Sequence, residues 1–161
     1  MVYIWFRFEW QFSIAAIMAL AHDVLSTIGL FALTGFEFNL ATVAAILTIA
    51  GYSINDTVVV FDRVRENLRR YKSYEQPAIL NMSLNETLSR TVMTSVTTLL
   101  ALLAIVLFGG AVLRDFALAM MWGVLIGTYS SVFVAVGMLA FFDLKRHLDE
   151  DDDPGAVKDE G

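Results

Sequence analysis

Asp56 lies in the run Gly51-Tyr-Ser-Ile-Asn-Asp-Thr57, and Arg90 in Thr87-Leu-Ser-Arg-Thr91. Both runs sit inside stretches otherwise apolar enough to cross a membrane. An ionisable group in such a stretch is costly, so it normally faces the interior of a helix bundle and marks an ion or substrate pathway. Ser53, Asn55, Asp56 and Thr57 fall about one to one and a half turns inside the end of their stretch, roughly 8 Å at 1.5 Å per residue. Arg90 lies about six residues past the start of the next stretch at Leu84, a similar depth measured from the same side. The two charges are therefore expected to meet. A neighbouring cation favours an ionised carboxylate and desolvation favours the protonated form, so a carboxylate balanced between them suits a proton relay. A structural ion pair that only sets helix packing fits the same residues, and both readings stand open at this point.

His22 and Asp23 form a further polar place near the middle of another apolar stretch. Adjacent residues on a helix point about 100° apart, so only one of them can face a given partner, and Asp23 is the better candidate for a buried network. Plain hydrogen bonding of both to neighbouring helices is the alternative. Gly51, Gly123 and Gly127 are expected to let helices approach, the last two as a GxxxG followed by Thr128, Ser130 and Ser131. Thr91, Thr94, Ser95, Thr97 and Thr98 add hydroxyls, so a polar interior beside Asp56 is expected.

The elements that must position these groups are four apolar blocks, at about 10–34, 40–61, 84–108 and 116–142, each near the ~20 residues that a helical crossing needs. The predicted fold is an all-α, polytopic membrane helical bundle with its membrane domain at 10–142. Gly35 and Gly109-Gly110 read as span terminators. Residues 62–83 form a cytoplasmic basic loop, of which Asp62 to Arg70 is too charged for lipid yet helix-friendly, so the second span is expected to project into water. Met1 to about residue 9 reads as the end of a preceding span and a cytoplasmic turn. Residues 143–161 form an acidic tail, expected to be disordered, with Pro154-Gly155 to break any helix.

Orientation follows from the basic residues, which concentrate on the cytoplasmic side. Arg63, Arg65, Arg69, Arg70 and Lys72 lie between the second and third blocks, Arg7 precedes the first, and Lys145, Arg146 and Lys158 follow the fourth. The segment from Gly35 to Asn39 holds no basic residue and the one after the third block holds Arg114. Four crossings with both ends of the chain cytoplasmic satisfy this distribution.

The 161 residues are 57% hydrophobic and 17% charged, well above the apolar share of soluble domains. The net charge of −6 comes largely from the tail and includes no basic excess, so nucleic acid is not an expected partner. With no cysteine, thiol catalysis and disulfides are excluded. No phosphate-binding Gly-rich loop, HExxH or credible Ser–His–Asp set occurs, so neither an enzyme, a metal nor a cofactor is expected, and energy would come from an ion gradient or a partner.

The run Gly51-Tyr-Ser-Ile-Asn-Asp-Thr-Val-Val-Val-Phe-Asp-Arg-Val-Arg-Glu-Asn67 resembles the signature of SecF proteins, the smaller members of the bacterial SecD–SecF pair. The resemblance extends to Arg7-Phe-Glu-Trp10, Ala19-Leu-Ala-His-Asp23, Thr87-Leu-Ser-Arg-Thr91, Phe108-Gly-Gly110 and Gly127-Thr-Tyr-Ser-Ser131, covering about Tyr3 to Phe142. It implies an RND-type (resistance–nodulation–division) membrane domain in the bacterial inner membrane. Its implied partners are SecD, the SecY–SecE–SecG translocon, the translocating preprotein and membrane lipid. The implied work is use of the proton-motive force to assist Sec-dependent export. The family's span-two aspartate and span-three arginine match Asp56 and Arg90, and its proton pathway is thought to pass them; Asn55 and Asp23 match family positions as well. The match starts beyond a first span and an extracytoplasmic domain that family members carry. A non-coupling scaffold that binds SecD and the translocon, and half of a related RND solute or lipid exporter, are the other expectations. A carboxylate among hydroxyls leaves protons and sodium ions both open as the coupling ion.

Overall fold

The computed structural model describes residues 10–35, 39–142 and 144. The expectations for residues 1–9 and for the tail at 145–161 lie outside the described residues, as does residue 143.

Four helices among the described residues are long and apolar enough to cross a membrane. Helix α1 is Trp10–Thr34, α2 is Leu40–Arg70 and α3 is Gln76–Phe108. Helix α4 is Gly110–Tyr129; it continues through a π-helical segment, Ser130–Ala135, into the short α5, Val136–Leu139. The architecture is thus an all-α helical bundle of a multi-pass membrane protein, as the block pattern predicts.

Local chemistry accounts for where these helices start and stop. Helix α1 ends at Gly35, whose φ of +69° is a left-handed conformation that glycine adopts without a Cβ penalty, and whose N–H reaches the Phe31 carbonyl at 3.1 Å. Asn39 caps α2 reciprocally: its side chain accepts from the Thr42 N–H at 3.1 Å, while its own N–H donates to Thr42 Oγ1 at 3.3 Å. At its far end α2 carries Arg69 and Arg70 in its last turn, where cations complement the helix dipole. With 31 residues, α2 is about 46 Å long at 1.5 Å per residue and overreaches a hydrocarbon layer of about 30 Å. The basic segment is therefore helix through Arg70, then a short turn, then helix again from Gln76, where a proline in the first turn costs no hydrogen bond.

Two apolar clusters hold the helices together. One gathers Phe12, Ala15, Phe61, Val64, Ile79 and Leu139 toward the α2–α3 turn. The other gathers Phe31, Ala45, Ile49, Leu102, Met120 and Val124 toward the opposite end. In every helix the polar residues singled out above lie in sequence between its contributions to the two clusters: Asp23 between Ala19 and Phe31, Ser53 and Asp56 between Ile49 and Val60, Thr91 and Ser95 between Leu80 and Leu102, and Ser130 and Ser131 between Val124 and Ala135. The bundle is thus apolar, polar, apolar along its axis.

At the α2–α3 turn a polar clamp adds to the first cluster. Asn67, 1% exposed, donates to Ser83 Oγ at 3.0 Å and to Glu86 Oε2 at 2.8 Å, and Arg63 donates to the same Glu86 oxygen at 2.6 Å and to Glu66 at 2.6 Å. Gln76 joins this end to the last helix. Its amide donates to the carbonyls of Leu139 at 3.0 Å and Phe142 at 2.6 Å, and its carbonyl accepts from the Leu144 N–H at 3.2 Å.

Candidate functional site

The polar layer is built around two carboxylates from different helices. Asp23 of α1 is fully buried. Its Oδ2 accepts from the hydroxyl of Ser53 on α2 and, at 2.7 Å, from that of Ser130 in the π segment. Its Oδ1 lies 3.1 Å from His22 Nδ1. His22 itself is exposed and tilts toward the Tyr129 ring, so the expectation that only one of the adjacent pair faces inward holds. One turn along α2 from Ser53, half-buried Asp56 accepts from Thr91 of α3 at 3.1 Å on Oδ1 and from Ser131 of the π segment at 2.8 Å on Oδ2.

A separate cluster of hydroxyls lies one turn further along the seam of α3 and α4, where Ser95 Oγ donates to the Thr91 carbonyl at 2.8 Å. Ser95, one turn beyond Thr91, lies 2.6 Å from Thr128 Oγ1 and 3.4 Å from the Tyr52 hydroxyl. Buried hydroxyls this close to carboxylates satisfy charge without a counter-cation, because each supplies one donor to an acceptor-only group. Each hydroxyl can both donate and accept, the property that handing a proton to a neighbouring group requires.

Arg90 does not join this arrangement. It is exposed on α3 and makes no ion pair with Asp56, against the expectation that the two charges meet. The reason is azimuth. Thr87, Thr91 and Ser95, spaced by four, form the inward stripe of α3, and Arg90 sits one residue, about 100°, off that stripe. Asn55 is likewise exposed, beside Asp56 on α2. Of the expected hydroxyls, Thr91 and Ser95 turn inward, whereas Thr94 and Thr97 are exposed and bond to carbonyls of their own helix. Thus the structure brings Asp23 and Asp56 into one polar layer, each with its own set of hydroxyl donors, and leaves Arg90 and Asn55 on its outer surface.

The glycines divide in the same way. A Cβ at Gly123 would fall onto the Ile49 side chain, and one at Gly127 would lie 3.4 Å from Ser53 Cβ and 3.8 Å from Asp23 Oδ2. The GxxxG of α4 therefore lets α2 close on it beside the carboxylates. Gly51 corrects its expected packing role: it is exposed, and a Cβ there would meet nothing within 4 Å.

Ser53, Ser130 and Ser131 were not singled out as ligands of the carboxylates by sequence reasoning. Ser53 could have been found from its place one turn before Asp56. Nothing in the sequence Ser-Ser-Val-Phe-Val-Ala announces a π segment.

A family model described as protein export membrane protein SecD/SecF, C-terminal, matches residues 1–145. Protein translocase subunit SecF of Rhodobacter capsulatus is 59% identical over 152 residues, which is 94% of this chain and 46% of the relative. The Cereibacter sphaeroides subunit of the same name is 57% identical over 145 residues, 90% of this chain and 45% of the relative. The chain thus spans about half the length of the curated relatives it matches. A crystal structure of SecDF in a super-membrane-facing form superimposes with a TM-score of 0.85 at 49% identity, covering 93% of this chain and 20% of that one. SecDF of Thermus thermophilus, a translocon-associated membrane protein, superimposes with a TM-score of 0.83 at 52% identity, covering 86% and 19%.

Proposed function

The chain belongs to the SecD/SecF family of protein export membrane proteins, and from that premise we propose that it is the ion-coupling membrane part of a SecF subunit. In this reading it sits in the bacterial inner membrane with both ends of the chain cytoplasmic. It pairs with SecD and assists the Sec translocon by letting protons run down the proton-motive force. The residues proposed to carry the protons are Asp56 and Asp23, with the hydroxyls of Ser53, Thr91, Ser95, Thr128, Ser130 and Ser131 between and beyond them. The translocating preprotein is the load, and no bond of it is made or broken here.

The observation that carries this reading is the setting of Asp56. It is a carboxylate in the polar layer, held by hydroxyls from two other helices and not by a cation, so taking up or releasing a proton needs no salt bridge to break first. Arg90 has a different place in the proposal. An arginine exposed about 9 Å past the start of the apolar stretch at Leu84 is costly to leave facing lipid, so a second protein is proposed to cover it. SecD, named together with SecF in the relatives of known structure called SecDF, is the proposed cover. Arg90 and Asn55 would then act at the boundary between the two halves, with Arg90 brought toward Asp56 only in some states of the cycle.

The test is complementation by Asp56→Asn in the full-length subunit, scoring preprotein export under an imposed proton gradient while membrane level and SecD co-purification are checked. Stimulation of export should be lost with assembly intact. Normal export by a variant that assembles normally would reduce the polar layer to packing and leave the scaffold reading in its place.

A further inference from the structure

Ser130 and Ser131 each have one proton to donate and two acceptors within reach. Ser130 Oγ lies 2.7 Å from Asp23 Oδ2 and 3.3 Å from the carbonyl of Gly127. Ser131 Oγ lies 2.8 Å from Asp56 Oδ2 and 3.0 Å from the carbonyl of Thr128. Both serines are fully buried, so water offers neither of them a third partner. A hydroxyl has a single O–H, so it satisfies one acceptor at a time.

The protonation of the facing carboxyl decides which. An ionised carboxylate is acceptor-only, so the serine donates to it. A protonated carboxyl must place its own O–H, and on Oδ2 the serine oxygen is within reach to accept it, as Ser53 is at Asp23, with His22 and Thr91 on the two Oδ1 atoms. The serine then turns its proton to the carbonyl three residues back in its own helix. The added proton stays on the carboxyl oxygen and the serine keeps its own; only the direction of two hydrogen bonds changes. Side-chain bonds of this kind to the preceding turn alter helix geometry, and here they fall where the helix already departs from α to π.

We propose that Ser130 and Ser131 are positioning residues that link Asp23 to Asp56, each reporting the protonation of its carboxylate to the shared π turn, so that the state of one carboxylate is felt by the other. The proposal rests on the reading that these carboxylates exchange protons. It goes beyond that reading by assigning two interacting sites, on α1 and α2, and the segment that joins them.

Apart from Ser53, which bonds to Asp23 and lies one turn from Asp56 on α2, the other groups facing the pair touch only one carboxylate. Asp23 is faced by His22 on its own helix and by Ser53 from α2, and Tyr129 of α4 faces His22 rather than the carboxylate. Asp56 is faced by Thr91 from α3, and Tyr52, one turn back on α2, directs its hydroxyl to Ser95. Arg90, next to Thr91, is exposed and pairs with neither. The π segment alone contributes adjacent residues to both carboxylates.

The test uses dicyclohexylcarbodiimide, which modifies protonated carboxyls in apolar surroundings, on the full-length subunit assembled with SecD in membranes. Modification of Asp56 is followed by peptide mass over a pH series. In the otherwise native protein, Asp23→Asn should change the rate of Asp56 modification by about threefold or more, a modest coupling for residues joined through adjacent positions of one helix turn. In a Ser130→Ala/Ser131→Ala background the same replacement should leave that rate unchanged, whereas a Ser131→Thr background, which keeps the hydroxyl, should retain the change. Where the double alanine variant fails to assemble, either single alanine variant serves, since each breaks the link. An equal effect of Asp23→Asn in all backgrounds would overturn the proposal in favour of direct electrostatic coupling. No effect in any background, or loss in Ser131→Thr as in Ser131→Ala, would overturn it too. Export is not the readout, so failure of the transport reading, scored separately with Asp56→Asn, stays distinguishable.

Discussion

Replacing Gly123, Gly127 and Gly51 in turn by alanine places one methyl at three points of the polar layer with different consequences. At Gly123 the new carbon falls onto Cγ1, Cδ1 and Cγ2 of Ile49, the last at 2.7 Å. Ile49 is 1% exposed and packed among Phe31, Ala45 and Val124, so it has little room to swing aside. Overpacking of this kind costs about 1–3 kcal/mol, and three clashing atoms put it near the upper end. The gain in helix propensity from glycine to alanine, about 1 kcal/mol, offsets part of it, leaving a net loss of about 1–2 kcal/mol. At Gly127 the contacts of 3.4–3.8 Å are ordinary and carry little cost, so the variant should be neutral or up to about 1 kcal/mol more stable. At Gly51 there is nothing within 4 Å, so the variant should be neutral or up to about 1 kcal/mol more stable. Denaturation midpoints of the purified proteins in one detergent should therefore place Gly123→Ala last, below both Gly51→Ala and Gly127→Ala. Ile49→Ala supplies the internal check. Alone it should cost about 2–5 kcal/mol, but it removes all three clashing atoms, so with Gly123→Ala the losses should fall well short of their sum. Additive losses, or Gly51→Ala as the most destabilised of the three, would refute the packing of α4 on α2 described above.

Two further perturbations probe the ends of the helices. Gln76→Ala removes two donations and one acceptance at the end of the last helix, a loss of about 2–4 kcal/mol if the freed groups stay dry. It should be seen as faster hydrogen exchange at Leu144 and at the amides of Ala140 to Phe142, and unchanged exchange there would dismiss the latch. Asn39→Ala breaks the reciprocal cap of α2 at a cost of about 1 kcal/mol, so exchange should quicken in the first turn from Leu40 and not near Asp56. Equal quickening along the whole helix would contradict a local cap.

Much of this architecture was legible because a bilayer imposes a coarse rule. Backbone polar groups in lipid must be satisfied within the helix, so a crossing shows as an unbroken apolar block of nearly fixed length. The same cost argument identified Asp23 and Asp56 as residues that would turn inward, and both do. Depth was readable and azimuth was not used. Arg90 and Asp56 lie at comparable distances from the same end of their helices, yet the inward stripe at Thr87, Thr91 and Ser95 turns Arg90 outward. That stripe, a four-residue repeat of hydroxyls, was the available signal that the arginine faces another surface.

The π segment is of a different kind, because no local preference specifies it. Ser-Ser-Val-Phe-Val-Ala would continue an α-helix, and in a regular α-helix Ser130 and Ser131 would point about 100° apart. Here both are fully buried, one on a carboxylate from α1 and the other on a carboxylate from α2. An i→i+5 turn widens the helix where these two demands meet, at the expense of regular backbone hydrogen bonding. Such a departure persists only if the contacts that require it outweigh that loss, and those contacts are the two carboxylates. A single-residue deletion at Val132 would restore an α register at the expense of one serine's contact. It should therefore resemble the loss of Ser130 or Ser131 in the carbodiimide experiment. If it leaves the dependence of Asp56 on Asp23 intact, the π turn is a packing accommodation and not the connection between them.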